Sequence, residues 1–196
     1  MIESFDEEKV ALVVTISCSM WSNWNEVRLG AITFEVTNVT WTPPPSSPFK
    51  INVDGALSKL NSLVGIGVVI RDDMGQVVAV LCKRIHAPLG SLEVKAKAFE
   101  AGLQLVRDTG LQDIVLERDS LVIVRALCGL SYPTSSAASL ILGMQLFSFE
   151  FHMVNVSHVR RQGNKPAHIL AKYALSIDDS IVWIKEIPYC IEQALI

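Results

Sequence analysis

Proline lacks a backbone N–H and holds φ near one value, so neither a helix nor a sheet ladder runs through a cluster of prolines. Residues 42–48 read Thr-Pro-Pro-Pro-Ser-Ser-Pro, a stiff, extended connector. It cuts the chain of 196 residues into a short leading segment and a longer remainder. Residues 1–41, with Trp21 and Trp24 close together, are too few to make a stable domain alone. A partly helical extension is expected there. The remainder has the length of one ordinary domain. The expected division is a helical extension over 1–41, a linker over 42–48, one domain over 49–177 and a tail over 178–196.

After the prolines the hydrophobic period becomes two. Phe49, Ile51 and Val53 alternate with Lys50, Asn52 and Asp54, which is the pattern of a strand. Residues 64–71 (VGIGVVIR) and 76–83 (QVVAVLCK) are rich in β-branched side chains and flank Asp-Asp-Met-Gly at 72–75, a turn composition. Three strands joined by short turns make an antiparallel meander. The period then lengthens. Residues 91–110 carry Val94, Ala98, Ala101, Leu105 and Val106 on one helical stripe, and Gly110 stands at the expected stop. Further along come a strand over 113–117, a helix over 120–127, a helix over 137–147, a strand over 151–156 and a helix over 164–175. A meander followed by α-β alternation predicts an α/β fold: one five-stranded mixed sheet with helices on both faces.

Composition narrows the class. Half the residues are hydrophobic, 19% are charged, and the net charge is −3. Any nucleic-acid binding therefore rests on a local basic patch. Cys18, Cys82, Cys128 and Cys190 are far apart and lack zinc-ligand spacing, so they are expected as reduced thiols. The apolar run at 10–20 is shorter than the roughly 20 residues a bilayer requires. Glu3, Asp6, Glu7 and Glu8 precede it, the wrong charge for a secretory leader. The expectation is no membrane partner and, by default, an intracellular protein of nucleus or cytoplasm.

Two acidic residues sit at predicted strand ends. Asp54 lies in Asn-Val-Asp-Gly-Ala, and Asp119 lies in Glu-Arg-Asp-Ser. If their strands are neighbours, the two carboxylates converge at one sheet edge, where they can hold a hard cation. A turn aspartate for Asp54 and a helix N-cap for Asp119 fit the same spacing. His158, Arg160, Arg161, Asn164 and Lys165 cluster just before the last helix, a composition suited to phosphate contacts. Lys50, Lys59, Arg71, Lys83 and Arg84 are scattered by comparison.

Four stretches in order carry a family likeness. They are 52–56 (NVDGA) after the prolines, 96–104 (AKAFEAGLQ), 117–120 (ERDS) and 158–171 (HVRRQGNKPAHILA). Together they resemble the ribonuclease H type 1 family, and more narrowly the reverse-transcriptase-associated, retroelement-derived domains common in land plants. Trp41, Trp183 and Pro188 resemble that group's flanks. The resemblance implies a nuclease cutting the RNA strand of RNA–DNA hybrids, with Asp, Glu, Asp and Asp around two Mg2+ ions, or Mn2+ in their place. The first position falls on Asp54, the third on Asp119 and the fourth on His168. The second falls on Lys95.

Lysine has only donors and cannot ligate a cation. At about 100° per residue, Glu93 and Glu100 point well away from Lys95 around the helix. Histidine at 168 is a milder departure, since imidazole can bind metal or move protons. The expected set is thus catalytic Asp54, Asp119 and His168, metal-binding Asp54 and Asp119, with Lys95 a lost ligand. The expected partner is an RNA–DNA hybrid or related duplex, with cleavage weak or absent. Two readings of other classes fit the same residues: a non-catalytic interaction remnant of a retroelement protein, and an active exonuclease or integrase-like relative with a different fourth ligand.

Overall fold

The computed structural model describes residues 41–44, 48–58, 62–128 and 135–195. The expected extension over 1–40 lies outside them. Six strands form one sheet in the order β5-β4-β1-β2-β3-β6. Phe49–Ser58 is β1, Leu63–Arg71 is β2 and Val77–His86 is β3; they form the expected antiparallel meander. Asp72 makes its turn, with its carboxylate accepting from the Met74 and Gln76 N–H groups at 3.0 and 2.8 Å. Strand β4, Asp113–Arg118, runs parallel to β1, and β5, Met153–His158, runs parallel to β4.

The sixth strand was not expected. Residues 178–196, read as a tail, contain Ser180–Ile184 (β6), which pairs antiparallel with β3. Only five residues long and mostly exposed, it has no clean alternation to mark it. Its anchor is tertiary: Trp183, Cys190 and Leu195 pack on a small core of Val69, Val80, Cys82, Leu170, Ala174 and Ile191. Burial pushes the Cys82 thiol up to about 12, with Cys190 acting in the same direction.

Four described helices cover the sheet. Helix α1, Ser91–Asp108, starts after Gly90, whose N–H donates to the Glu93 carboxylate. It stops at Thr109 and Gly110, the glycine at φ +73°, a left-handed stop that glycine adopts without strain. Its Val94, Ala98, Phe99, Leu103 and Val106 meet Ile51, Val53, Ile66, Val68 and Leu116 in the main core. Leu121–Leu127 (α2) and Ser135–Ser148 (α3) extend that layer. Lys165–Tyr173 (α4) lies on the opposite face. None of the described helices is long and apolar enough to cross a membrane.

Helix α4 approaches the sheet at two glycines of β2. A Cβ on Gly65 would fall 2.0 Å from the Ala171 carbonyl oxygen, and one on Gly67 would fall 2.2 Å from that of Ala167. Backbone against backbone leaves no room for a methyl group. The glycines punctuating β2 therefore set how closely α4, and every residue it carries, can stand over β1. Gly67→Ala should destabilise the fold by about 1–3 kcal/mol, a typical overpacking cost, read as a lower urea midpoint at unchanged slope.

Candidate functional site

The parallel register of β1 and β4 ends with Asn52 opposite Glu117. Two residues further along β1 is Asp54, and directly after the last residue of β4 is Asp119, so the parallel register brings both positions to the same end of the sheet. Asp119 is half-buried. It does not cap α2, whose N-cap is Ser120. Asp54 is buried, and both of its oxygens are engaged: Oδ1 accepts from the Gly55 N–H at 2.8 Å, and Oδ2 lies 2.7 Å from His168 Nδ1.

His168 sits on the first turn of α4, and it is closed at both nitrogens. Arg161 donates to its Nε2 at 3.0 Å. A guanidinium offers only donors, so Nε2 carries the lone pair and Nδ1 carries the hydrogen shared with Asp54. Arg161, His168 and Asp54 thus form a chain of hydrogen bonds. In this arrangement His168 positions the Asp54 carboxylate and presents no free lone pair.

Lys95 is half-buried on the first turns of α1. Neither neighbouring glutamate replaces it. Glu93 caps the helix through Gly90, and Glu100 pairs with Lys97 at 2.6 Å. The Lys95 carbonyl accepts from Arg118 Nη2 at 3.1 Å. Arg118, directly before Asp119, is 2% exposed. Burial lowers its pKa to about 10, with Asp119 and then Asp54 acting in the opposite direction. It stays charged at neutral pH. Nothing in the local pattern Leu-Glu-Arg-Asp-Ser marks this arginine as buried, and sequence reasoning missed it.

The basic cluster divides. Arg160, Arg161 and Lys165 are exposed, and His158 is half-buried. Asn164, expected among the nucleic-acid contacts, is fully buried and donates to the Val53 carbonyl at 3.0 Å. It ties the start of α4 to β1 and cannot reach a ligand. Lys50 and Arg71, read as scattered, are also buried in one network. Lys50 pairs with Glu117 at 2.8 Å, Asn52 donates to Glu117 at 3.1 Å, and Arg71 donates to Asn52 at 2.7 Å. Trp41 closes it, its ring stacked 3.7 Å from the Arg71 guanidinium. Burial lowers the Arg71 pKa to about 10 against the pull of Glu117.

Magnesium takes oxygen ligands, and a two-ion centre needs carboxylates placed to share the ions. This site offers two carboxylates, one of them already hydrogen-bonded at both oxygens, together with an ammonium, a buried guanidinium and an imidazole with no lone pair to spare. Among the described residues no three His, Cys, Asp or Glu side chains are grouped to hold a metal. The donor set does not fit a two-ion centre.

A sequence model of the family described as reverse transcriptase-like matches residues 52–174. No curated protein matches the chain. Among solved structures, RNase H1 from Halobacterium salinarum superposes with a TM-score of 0.62 at 24% identity, over 66% of this chain and 98% of that one. LC11-RNase H1 in complex with an RNA/DNA hybrid gives 0.60 at 22% identity, over 65% and 96%. The N-terminal RNase H domain of a Mycobacterium tuberculosis protein gives 0.56 at 22% identity, over 65% and 98%. At these identities the likeness is one of fold. It places the site's supporting network within a known architecture and makes its buried charges testable. Glu117→Ala leaves Lys50 buried without its counter-ion, and should cost about 3–5 kcal/mol in denaturant unfolding.

Proposed function

This chain belongs to the reverse transcriptase-like family, and on that premise we propose that it binds nucleic-acid duplexes, RNA–DNA hybrids foremost, with little or no cleavage of the RNA strand. It is further proposed to derive from a retroelement, as its likeness to the plant domains suggests. The observation that carries the reading is the pairing of Asp54 and Asp119 at one sheet end, flanked by exposed Arg160, Arg161 and Lys165. Arginine and lysine there can take backbone phosphates, arginine with its bidentate fork. The inherited reaction is hydrolysis of a phosphodiester with Mg2+ or Mn2+. In that scheme Asp54 and Asp119 are the metal-binding pair and His168 the third catalytic group. Because the donor set departs from the two-ion pattern at Lys95, and His168 is held between Asp54 and Arg161, the scheme assigns this chain retained binding and lost turnover.

A second reading has one observation in its favour. The edge strand β6 exposes Val182 and Ile184, and Tyr189 beyond it is 87% exposed. Such an apolar edge suits a protein partner, as an interaction remnant would need.

Binding to a labelled hybrid, followed by fluorescence anisotropy across a salt series, separates the two. Phosphate binding weakens steeply with salt, and Arg160→Ala or Lys165→Ala should each reduce the log–log slope by about 0.9. Binding absent at every salt concentration would leave the interaction reading. Arg161 is a poorer choice for this measurement because it also holds His168. In cleavage assays with Mg2+ and with Mn2+, the chain should not exceed an Asp54→Asn blank. Lys95→Glu supplies the missing carboxylate and should raise Mn2+-dependent cleavage about tenfold or more, equivalent to about 1.4 kcal/mol off the barrier. No gain in Lys95→Glu would remove the lost-ligand explanation.

A further inference from the structure

Strand β6 ends the sheet on its side, and no described residue pairs with its outer edge. Its sequence, Ser-Ile-Val-Trp-Ile, has no charge and no proline, two of the devices by which natural edge strands avoid pairing. Ile181, Val182 and Ile184 are exposed, and Ile187 and Tyr189 carry the apolar surface beyond the strand. The backbone is open as well. Lys185 donates its N–H to the Val78 carbonyl at 2.9 Å. In an antiparallel pair such bonds recur at every second residue, so Trp183 and Ile181 bond to β3, while Ser180, Val182 and Ile184 direct their N–H and C=O groups outward. The Ser180 N–H is taken by the Asp179 carboxylate at 2.8 Å. The other outward groups bond to no described residue.

We infer that β6 is a self-pairing edge, where a second copy of this chain adds antiparallel to make one sheet continuous across the two. Outward groups must face outward groups, so positions 180, 182 and 184 of the two copies stand opposite one another. Two-fold registers centred on Ile181, Val182 or Trp183 achieve this. Only the register centred on Val182 pairs the whole strand: Val182 meets its counterpart in the second copy, Ser180 meets Ile184, and Ile181 meets Trp183. It also sets Asp179 of each copy opposite Lys185 of the other. Both residues are exposed. Asp179 engages Ser180 through Oδ1 and keeps Oδ2, and Lys185 makes no ion pair with a described residue. Centring on Ile181 would instead set Asp179 against Trp183, and centring on Trp183 would set Lys185 against Ile181. Charge therefore selects the register, and the strand that complements β6 in it is β6 reversed. On the α1 face Val182 lines a cleft with Ile66 and Leu81, and pairing brings the two clefts together at the axis. The interface uses none of the residues proposed for duplex binding, so its failure and that of the proposed function appear in different measurements.

Sedimentation equilibrium of the full chain without nucleic acid, from about 1 to about 100 μM, should show a monomer in equilibrium with a dimer. Val182→Lys places two ammonium groups at the axis and should stay monomeric throughout, with wild-type circular dichroism, thermal unfolding and hybrid binding. Lys185→Asp opposes like charges and should weaken the dimer about tenfold. The register is read by cross-linking. A bonded antiparallel pair holds its Cα atoms about 5.5 Å apart, within disulfide reach. Val182→Cys should therefore form an intermolecular disulfide under mild oxidation where wild type forms none. Ile184→Cys should not, because its two copies lie roughly 14 Å apart along the strands. A chain monomeric over the whole range overturns the inference, and leaves the edge to residues 1–40 or to a strand of another protein. A dimer that survives in Val182→Lys, one of wild-type affinity in Lys185→Asp, or cross-linking of Ile184→Cys as ready as that of Val182→Cys overturns it too.

Discussion

Lys50, Asn52 and Asp54 stand on one face of β1, and that strand is covered on both faces, so each of the three must find a partner inside the protein. Unsatisfied polar groups in such a place are costly. Each partner comes from a different element. Glu117 on β4 answers Lys50 and Asn52, Arg71 on β2 answers Asn52, and His168 on α4 answers Asp54. The polar face of one strand therefore constrains three neighbours at once. A shift of β4 by one residue would turn Glu117 to the apolar face, where Ile51, Val53 and Leu116 pack. The register that satisfies the network is the one that brings Asp54 and Asp119 together.

The two faces of the sheet have solved different problems. On the α1 face the core is apolar and contiguous, and Gly102 lets the helix come close to Val53, where a Cβ would lie 2.7 Å from a Val53 methyl. On the α4 face small residues of the helix lie against glycines of β2, and the space beyond the helix is filled by the Lys50–Glu117–Arg71 network under Trp41. The candidate site lies at the end of the sheet where both layers stop. It inherits its rigidity from both: Asn164 pins α4 to the Val53 carbonyl, and Arg118 pins β4 to the Lys95 carbonyl.

A fold hosts many activities, and function has to be argued from the site. Here the backbone frame of a ribonuclease H surrounds a charge arrangement unlike a two-ion centre. Position 95 contributes an ammonium, position 168 an imidazole engaged on both sides, and position 118 a buried guanidinium. These groups fit one another. Arg161 and His168 hold Asp54 still.

The sequence determined the elements it could encode locally. Period-two alternation around Ile51 and Val53, the turn at Asp72, the stripe of α1 and its Gly110 stop all depend on neighbours within a few residues, and the structure carries each of them. The α/β class and the four ordered motifs that place Asp54, Asp119, His168 and Lys95 were legible for the same reason. What depended on distant partners was not. Strand β6 exists because β3 offers an open edge and Trp183 a core to enter. Asn164 is a structural tie because α4 lies within reach of Val53, although its neighbours Arg160, Arg161 and Lys165 point outward. Lys50 and Arg71 look like ordinary surface cations until β4 and Trp41 close over them. Burial of Arg118 is a property of the packed layers between β4 and α1. A charged side chain's letter is the same in solvent and in a core, and only the tertiary structure decides which surroundings it meets.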